Sequence, residues 1–166
     1  MILVTVGTYE HGFDRLVKVA DELAKTIEET VVVQRGNSTY EPNHTSHFTV
    51  TTYYHMVELV QSARVVISHA AVGAVILALR HNKPLVLVPR LGQLAEYEDD
   101  YQLNLANFLE NKGKMAVVYD LSPDVLQTSI NKAVERRNIG KNGATDTLKI
   151  LRQYLKDNYK KRKQVM

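Results

Sequence analysis

Hydrophobic positions along the chain follow two periods, and their alternation predicts a repeated strand-helix order. Short, mainly apolar runs typical of buried strands lie at residues 2–6, 31–33, 48–50, 65–68, 85–88 and 115–118. Between them, apolar residues recur every three or four positions, as on the buried face of an amphipathic helix. The first such segment runs from Phe13 to Ile27 and carries charged residues, including Asp14 and Asp21, on its opposite face.

Further helices are predicted at residues 56–62, 73–82 and 101–111, and from Pro123 onwards with Ser122 as the cap. Residues 35–46 are rich in Gly, Asn, Ser and Thr and indicate a loop. Residues 138–143 are predicted as a hinge before a C-terminal helix. That helix carries an apolar face made of Leu148, Leu151 and Leu155, which either docks a partner protein or packs back on the chain's own sheet.

Continuous Val, Ile and Leu strands that alternate with helices indicate a mostly parallel sheet with helices on both faces, a doubly wound α/β fold. A length of 166 residues with 45% hydrophobic content suits one domain over 1–166, with 144–166 as C-terminal helix and basic tail. Ligands in such sheets bind beyond the carboxyl ends of the strands. The candidate site is therefore formed by the loops at 7–12, 68–74 and 89–100.

Composition excludes several classes of site. The absence of cysteine excludes disulfides, iron-sulfur clusters and thiolate chemistry. The six histidines form no His-x-x-x-His pair with matching carboxylates, so no metal site is expected. No run of about 18 apolar residues and no signal peptide is recognised, which predicts a cytoplasmic protein. The basic cluster at 156–163 is either a solvated end or a segment attracted to an anionic membrane surface.

The turn after the fourth strand combines a histidine with very small residues, in the sequence HAAVGA at 69–74. Small residues at a helix start expose backbone N–H groups at the positive end of the helix dipole, where a phosphate group binds. His69, Gly73 and Ala74 are candidates for such a site. The alternative is that the small residues only let a buried helix approach the sheet, with His69 as a structural residue.

Two other loops supply candidate ligand contacts. Gly7 and Thr8 precede a long helix and indicate either a phosphate or sugar contact or a simple helix cap. Arg90 ends the fifth strand, where it either neutralises a bound anion or pairs with a carboxylate.

The stretch EYEDDYQ at 96–102 concentrates carboxylates beside an amide. Glu96, Asp99, Asp100 and Gln102 have the acceptors and donors that orient hydroxyl groups. Acidic residues are also favoured in the first turn of a helix, and a solvated loop explains them equally.

These segments, together with KPLVLVPR at 83–90, resemble the C-terminal, donor-binding domain of family 28 glycosyltransferases. VTVGT at 4–8 and STYEP at 38–42 are similar to the small subunit of two-component bacterial capsule and exopolysaccharide glycosyltransferases. That subunit is related to the small subunit of the eukaryotic N-glycan GlcNAc transferase. The resemblance covers roughly residues 1–135.

The resemblance implies a Rossmann-like half of a GT-B fold, with the diphosphate of a UDP-sugar at the helix start after His69. His69 and Gly73 match the family motif, whereas Ala71 replaces a glycine and Ala74 replaces a hydroxyl residue. The acidic run and Gln102 are implied to face the sugar and ribose. Tyr97 and Tyr101 stand where the subfamily usually has histidine. Leu77 replaces the ribose-binding glutamate of the peptidoglycan GlcNAc transferase.

The function implied is that of the donor-binding and catalytic subunit of an inverting hexosyltransferase, which acts on a lipid-linked glycan in capsule or exopolysaccharide synthesis. A membrane-anchored partner would supply the acceptor site and the base, so no catalytic residue is assigned in this chain. It would hold the chain at the inner face of the cell membrane. No cofactor, metal or nucleic acid is expected besides the UDP-sugar donor. The alternatives are a stand-alone nucleotide-sugar enzyme, such as an epimerase, which needs a second half, and a non-catalytic nucleotide-binding or scaffolding module.

Overall fold

The computed structural model describes residues 1–113, 115–139 and 143–165, and within these the side chains of 1–113, 115–136 and 144–158. Its six described strands are β1 (Ile2–Thr5), β2 (Val31–Gln34), β3 (Ser46–Phe48), β4 (Val65–His69), β5 (Leu85–Val88) and β6 (Ala116–Val117). They form one sheet in the order β3-β2-β1-β4-β5-β6, and every neighbouring pair is parallel. This confirms the predicted Rossmann-like α/β fold.

Helices cover both faces of the sheet. They are α1 (Asp14–Ala24), α2 (Tyr53–Ser62), α3 (Val72–Arg80), α4 (Tyr101–Asn111), α5 (Pro123–Ile139) and α6 (Gly143–Val165), with one 3₁₀ turn at Gly92–Leu94. Successive strand residues point to opposite faces, so Ile2 and Val4 pack with α1 and α5, whereas Leu3 packs on the other side. The second face is covered by α2, α3, α4 and α6.

The third strand and the helix after it begin earlier than the sequence predicts. β3 is set by pairing with β2, in which His47 lies beside Val33 and Phe48 beside Gln34. Val50, predicted in the strand, is instead 62% exposed. The helix α2 starts at Tyr53 because Thr52 caps it, accepting a hydrogen bond from the His55 amide at 3.2 Å.

The STYEP segment is fastened to α1 by two carboxylates of that helix. Asp14 accepts hydrogen bonds from the Thr39 hydroxyl and the Tyr40 amide, at 2.6 and 3.0 Å. Asp21, predicted on the exposed face, is fully buried and accepts from the His44 amide at 2.7 Å and the Tyr40 hydroxyl at 2.9 Å. Burial alone would raise the pKa of Asp21, but these hydrogen bonds hold the pKa below its usual value.

The C-terminal helix packs on the domain itself. Leu151 is buried in the second core, with Leu148 and Leu155 partly buried beside it. The ring of Tyr154 lies 4.5 Å from the ring of Phe108 in α4. The apolar face of α6 is therefore covered by the chain's own core. Residues 140–142 of the predicted hinge and the side chains of the basic tail from 159 onwards lie outside the described residues.

Candidate functional site

The strand order reverses between β1 and β4, and the candidate site lies where these two strands end. Gly7 follows β1 with φ of 75°, in the left-handed region that favours glycine. A Cβ atom on Gly7 would lie 2.8 Å from both Cε1 and Nε2 of His69, at the end of β4. The two residues therefore pack directly together, and only glycine fits at position 7.

The turn at Gly7 is held by a buried glutamine that the sequence did not single out. Gln34 Oε1 accepts from the Gly7 amide at 3.2 Å, and Gln34 Nε2 donates to the Gly7 carbonyl at 3.1 Å. The Thr5 hydroxyl also donates to Gln34 Oε1. A polar residue that ends an apolar strand is the sequence signal for this contact. Thr8, the next residue, is exposed at the rim of the site.

His69 is a buried, neutral residue in this arrangement. Its Nδ1 lies 3.3 Å from the Thr5 carbonyl, which can only accept, so Nδ1 carries the proton and Nε2 has the lone pair. Burial lowers the pKa of His69 to about 4; the bond to Thr5 opposes this shift and the charge of Arg90 adds to it. Donation from His69 Nε2 to a bound anion would require the other tautomer or a protonated ring.

The start of α3 is open and has no side-chain cap. Ala71, at the N-cap position, has an extended conformation and offers no side-chain oxygen to the first-turn amides. Gly73 is exposed, and a Cβ added to it would meet nothing within 4 Å. Ala74 follows with only a methyl group. The first turn of α3 thus has no side-chain cap, and the space around Gly73 is open, at the positive end of a helix.

Arg90 lies inside the protein rather than on the surface of the site. It is fully buried, and its guanidinium donates to the carbonyls of Gly12 at 2.6 Å and Val6 at 3.0 Å. The same group lies over the rings of Phe13 and Tyr9, at 4.7 and 5.6 Å from their centroids. Burial lowers the pKa of Arg90, and the nearby Glu96 partly offsets this. Its position favours a supporting role over direct contact with a bound anion.

Glu96 is engaged by an arginine of α1. Arg15 donates from Nε to Oε1 at 2.8 Å and from Nη2 to Oε2 at 2.9 Å, a bidentate ion pair. Oε2 also accepts from the Leu91 amide at 3.0 Å. Both carboxylate oxygens are thus occupied within the protein. Arg15 was not predicted, because its partner is 81 residues away along the chain.

The remaining predicted residues precede or begin α4. Asp99 and Asp100 are exposed, and Asp99 Oδ1 accepts from the Tyr101 amide at 2.8 Å. Gln102 is buried, and its Oε1 accepts from the Arg90 amide at 3.2 Å. Gln102 thereby holds the end of β5, while the two aspartates face solvent.

The loop after β1 and the loop after β5 meet across the end of β4. The rings of Tyr9 and Tyr97 are 4.7 Å apart, and Arg90 and Arg15 provide the polar contacts between the same loops. All ten predicted site residues are thus on one edge of the sheet. The exposed ones are Thr8, Gly73, Asp99 and Asp100, whereas His69, Arg90 and Gln102 are buried.

The described side chains include no group of three or more His, Asp or Glu residues placed to hold a metal ion. No described helix combines the length and apolar character needed to cross a bilayer.

Residues 1–160 match the glycosyltransferase family 28 C-terminal domain. The chain belongs to this family. The sequence resemblance and the fold thus agree on a sugar-transferase domain. A search of curated proteins found no match.

Solved structures of glycosyltransferases share the fold of this family 28 chain. It is similar to the kitacinnamycin glycotransferase, with a TM-score of 0.63 and 15% identity over 92% of this chain and 40% of that one. It is similar to CalG4, the calicheamicin glycosyltransferase, with a TM-score of 0.60 and 16% identity over 94% of this chain and 43% of that one. It is also similar to MurG of Acinetobacter baumannii, with a TM-score of 0.52 and 17% identity over 90% of this chain and 49% of that one. The chain thus spans less than half the length of these three neighbours.

Proposed function

We propose that this chain binds the diphosphate of a UDP-sugar in front of α3, between Gly7, Gly73 and the loop before α4. The observation that carries the proposal is the uncapped helix start with open space before Gly73, in a chain of a glycosyltransferase family. Backbone N–H groups and the helix dipole favour an anion there. Ala74 offers no hydroxyl, so the phosphate contacts come from the backbone.

The sugar and ribose are proposed to lie against the exposed polar groups at the rim. Thr8, Asp99 and Asp100 are exposed and have the donors and acceptors that hydroxyl groups require. Gln102 acts at the base of this loop through its bond to the Arg90 amide. We propose that transfer needs no divalent ion, because backbone amides would take the phosphate charge. Activity that EDTA abolishes and manganese restores would contradict that part.

We infer that the chain is the donor-binding and catalytic subunit of a two-component inverting glycosyltransferase, active only with a partner. A transfer reaction needs a base for the attacking hydroxyl. His69 is poorly suited, because it is buried and its pKa is about 4. The partner would supply this base and the acceptor site. It would also hold the chain at the inner face of the cell membrane, where a lipid-linked glycan of capsule or exopolysaccharide synthesis receives the hexose.

The distribution of exposed apolar side chains supports a partner on the same edge. Among the described side chains, the large exposed apolar ones all follow the carboxyl ends of strands: Val50, Tyr53, Tyr54, Leu94 and Val125. Tyr54 is 82% exposed. Aromatic residues are enriched in protein interfaces, and a domain that faces this edge would contact these side chains as well as the site.

Two measurements test the proposed function. Calorimetry should show UDP binding to the purified chain, with GDP and dTDP as matched ligands that bind more weakly. Transfer from UDP-sugars to a lipid-linked acceptor should need a membrane-anchored partner subunit. Replacement of Tyr53 and Tyr54 by Ser should reduce transfer but leave UDP binding unchanged. Transfer by the chain alone would contradict the two-component proposal, and UDP binding without transfer in any combination would indicate a non-catalytic nucleotide-binding module.

A further inference from the structure

One ion pair joins the two loops that border the candidate site. Arg15 lies in the first turn of α1, after the loop of β1, and Glu96 lies in the loop after β5. Their side chains are 21% and 11% exposed, so water screens the pair only partly. Arg15 also donates to the carbonyl of Pro89 at 3.0 Å and to that of Tyr119 at 3.3 Å. A single guanidinium therefore contacts the loops after β5 and β6 from the helix after β1.

Glu96 determines the course of the loop that leads to the exposed aspartates. Its Oε2 accepts from the Leu91 amide at 3.0 Å, and its own carbonyl accepts from Arg90 Nη1 at 3.3 Å. The chain between positions 91 and 96 is thus closed by the Glu96 side chain, at one end of the 3₁₀ turn. Asp99 and Asp100 follow within four residues, so the direction in which they leave the turn depends on this closure.

We propose that Arg15 and Glu96 are positioning residues for donor binding, which hold the loop of residues 89–100 in its binding conformation without contacting the donor themselves. The proposal rests on the proposed UDP-sugar site. The physical reason is preorganisation: a loop that is already ordered does not lose conformational entropy when the ligand binds. Both carboxylate oxygens and the arginine fork are occupied by protein groups, so the pair acts through the loop.

The chain contains a matched control on the opposite edge of the sheet. Arg64, just before β4, forms a bidentate ion pair with Glu29, just before β2. Its Nε donates to Oε1 at 3.0 Å and its Nη2 donates to Oε2 at 2.6 Å. This pair has the same chemistry as Arg15 and Glu96 but lies at the amino ends of the strands, away from the candidate site. Its removal separates a general loss of stability from a specific loss of binding.

The experiment compares Arg15→Gln, Arg15→Lys, Glu96→Gln and Arg64→Gln with the unchanged chain. UDP affinity is measured by calorimetry, stability by urea unfolding, and loop order by amide hydrogen exchange over residues 89–100. We expect Arg15→Gln and Glu96→Gln to weaken UDP binding by about tenfold through lost preorganisation. Arg15→Lys should recover part of the affinity, because lysine keeps the charge but not the fork. Arg64→Gln should leave affinity and loop exchange unchanged.

The outcomes distinguish this proposal from the proposed function. Absence of UDP binding to the unchanged chain would overturn the donor site itself. UDP binding by the unchanged chain and equally tight binding by both glutamine variants would overturn the positioning role alone. The positioning role would also be overturned if Arg64→Gln accelerated amide hydrogen exchange over residues 89–100 as much as Arg15→Gln does. If Arg15→Gln does not fold, Arg15→Lys and Glu96→Gln decide the question by the same affinity measurement.

Discussion

The turn between β4 and α3 and the paired loops after β1 and β5 lie on the same sheet edge but use their residues in opposite ways. The turn exposes residues with almost no side chain, and the space before Gly73 is open. The paired loops contain the charged residues, yet Arg90 is fully buried and Glu96 is held by Arg15. The charged residues thus build the loops, whereas the smallest residues leave open space at the candidate site.

This contrast shows why a motif residue is not automatically a ligand contact. A guanidinium that donates to several backbone carbonyls stabilises loops that have no regular secondary structure. A helix start without a cap leaves its amides available to an external anion. In this domain the first arrangement lies beside the second and supports it.

The largest expected effect concerns the buried Arg90 in the paired loops. Replacement of Arg90 by Met leaves the carbonyls of Val6 and Gly12 without their donor, so we expect the free energy of unfolding to fall by about 4 kcal/mol. Urea unfolding measures this change. Arg80, exposed in the last turn of α3, is the control, and Arg80→Met should change stability by less than about 0.5 kcal/mol. A small effect of Arg90→Met on the free energy of unfolding would contradict this structural role.

The second expected effect is a pH dependence that originates at His69. Its pKa is about 4 in the folded chain and about 6.5 when unfolded, so the unfolded state binds more protons between these values. Stability should therefore fall as the pH drops from 6.5 to 4, by up to about 3 kcal/mol. His69→Asn keeps a donor near the Thr5 carbonyl but does not titrate. Unfolding curves of this variant should lose most of that slope, and an unchanged slope would assign it to other groups.

The third prediction concerns Gly73, in the open turn between β4 and α3. Gly73→Leu should fill the space before α3 and weaken UDP binding by about 100-fold, equivalent to ~2.7 kcal/mol. The fold should survive, because a Cβ at this position meets nothing within 4 Å. Calorimetry and thermal unfolding measure the two effects. Gly73→Ala is the graded control and should keep most of the affinity, and normal binding by Gly73→Leu would place the site elsewhere.

The smallest expected effect is a substitution at the start of α3 that raises stability and lowers UDP affinity. Ala71→Ser introduces a cap for α3, which should stabilise the fold by about 1 kcal/mol. The serine oxygen competes with the phosphate for the same amides, so UDP affinity should fall by a few fold. The control lies on α5, where the Ser122 hydroxyl accepts from the Val125 amide at 3.3 Å. Ser122→Ala should destabilise the fold by a similar amount without changing UDP affinity. If UDP affinity changes equally in Ala71→Ser and Ser122→Ala, an anion at the start of α3 is contradicted.

Much of the fold could be predicted from the hydrophobic pattern. The bounds of β5 and α4 agree with the prediction, and α5 begins after its Ser122 cap as expected. The prediction of β3 was shifted, because an apolar residue at position 50 resembled a strand while pairing with β2 selected 46–48. Of the site, the loops and the open helix start were predicted. The partners of Arg90, Glu96 and Gln102 were not.

The sequence by itself determined the alternation of strands and helices, the edge on which the candidate site lies and the small residues that leave space there. These features depend on local periodicity and on residue size, which are properties of short segments. Only the tertiary structure decided which polar groups form hydrogen bonds within the protein. Arg15 and Glu96 are 81 residues apart along the chain, and Arg90 and Gly12 are 78 residues apart. Whether such side chains become buried where two loops meet depends on the order of all the strands. No local pattern contains that order, because it arises when the whole sheet is assembled.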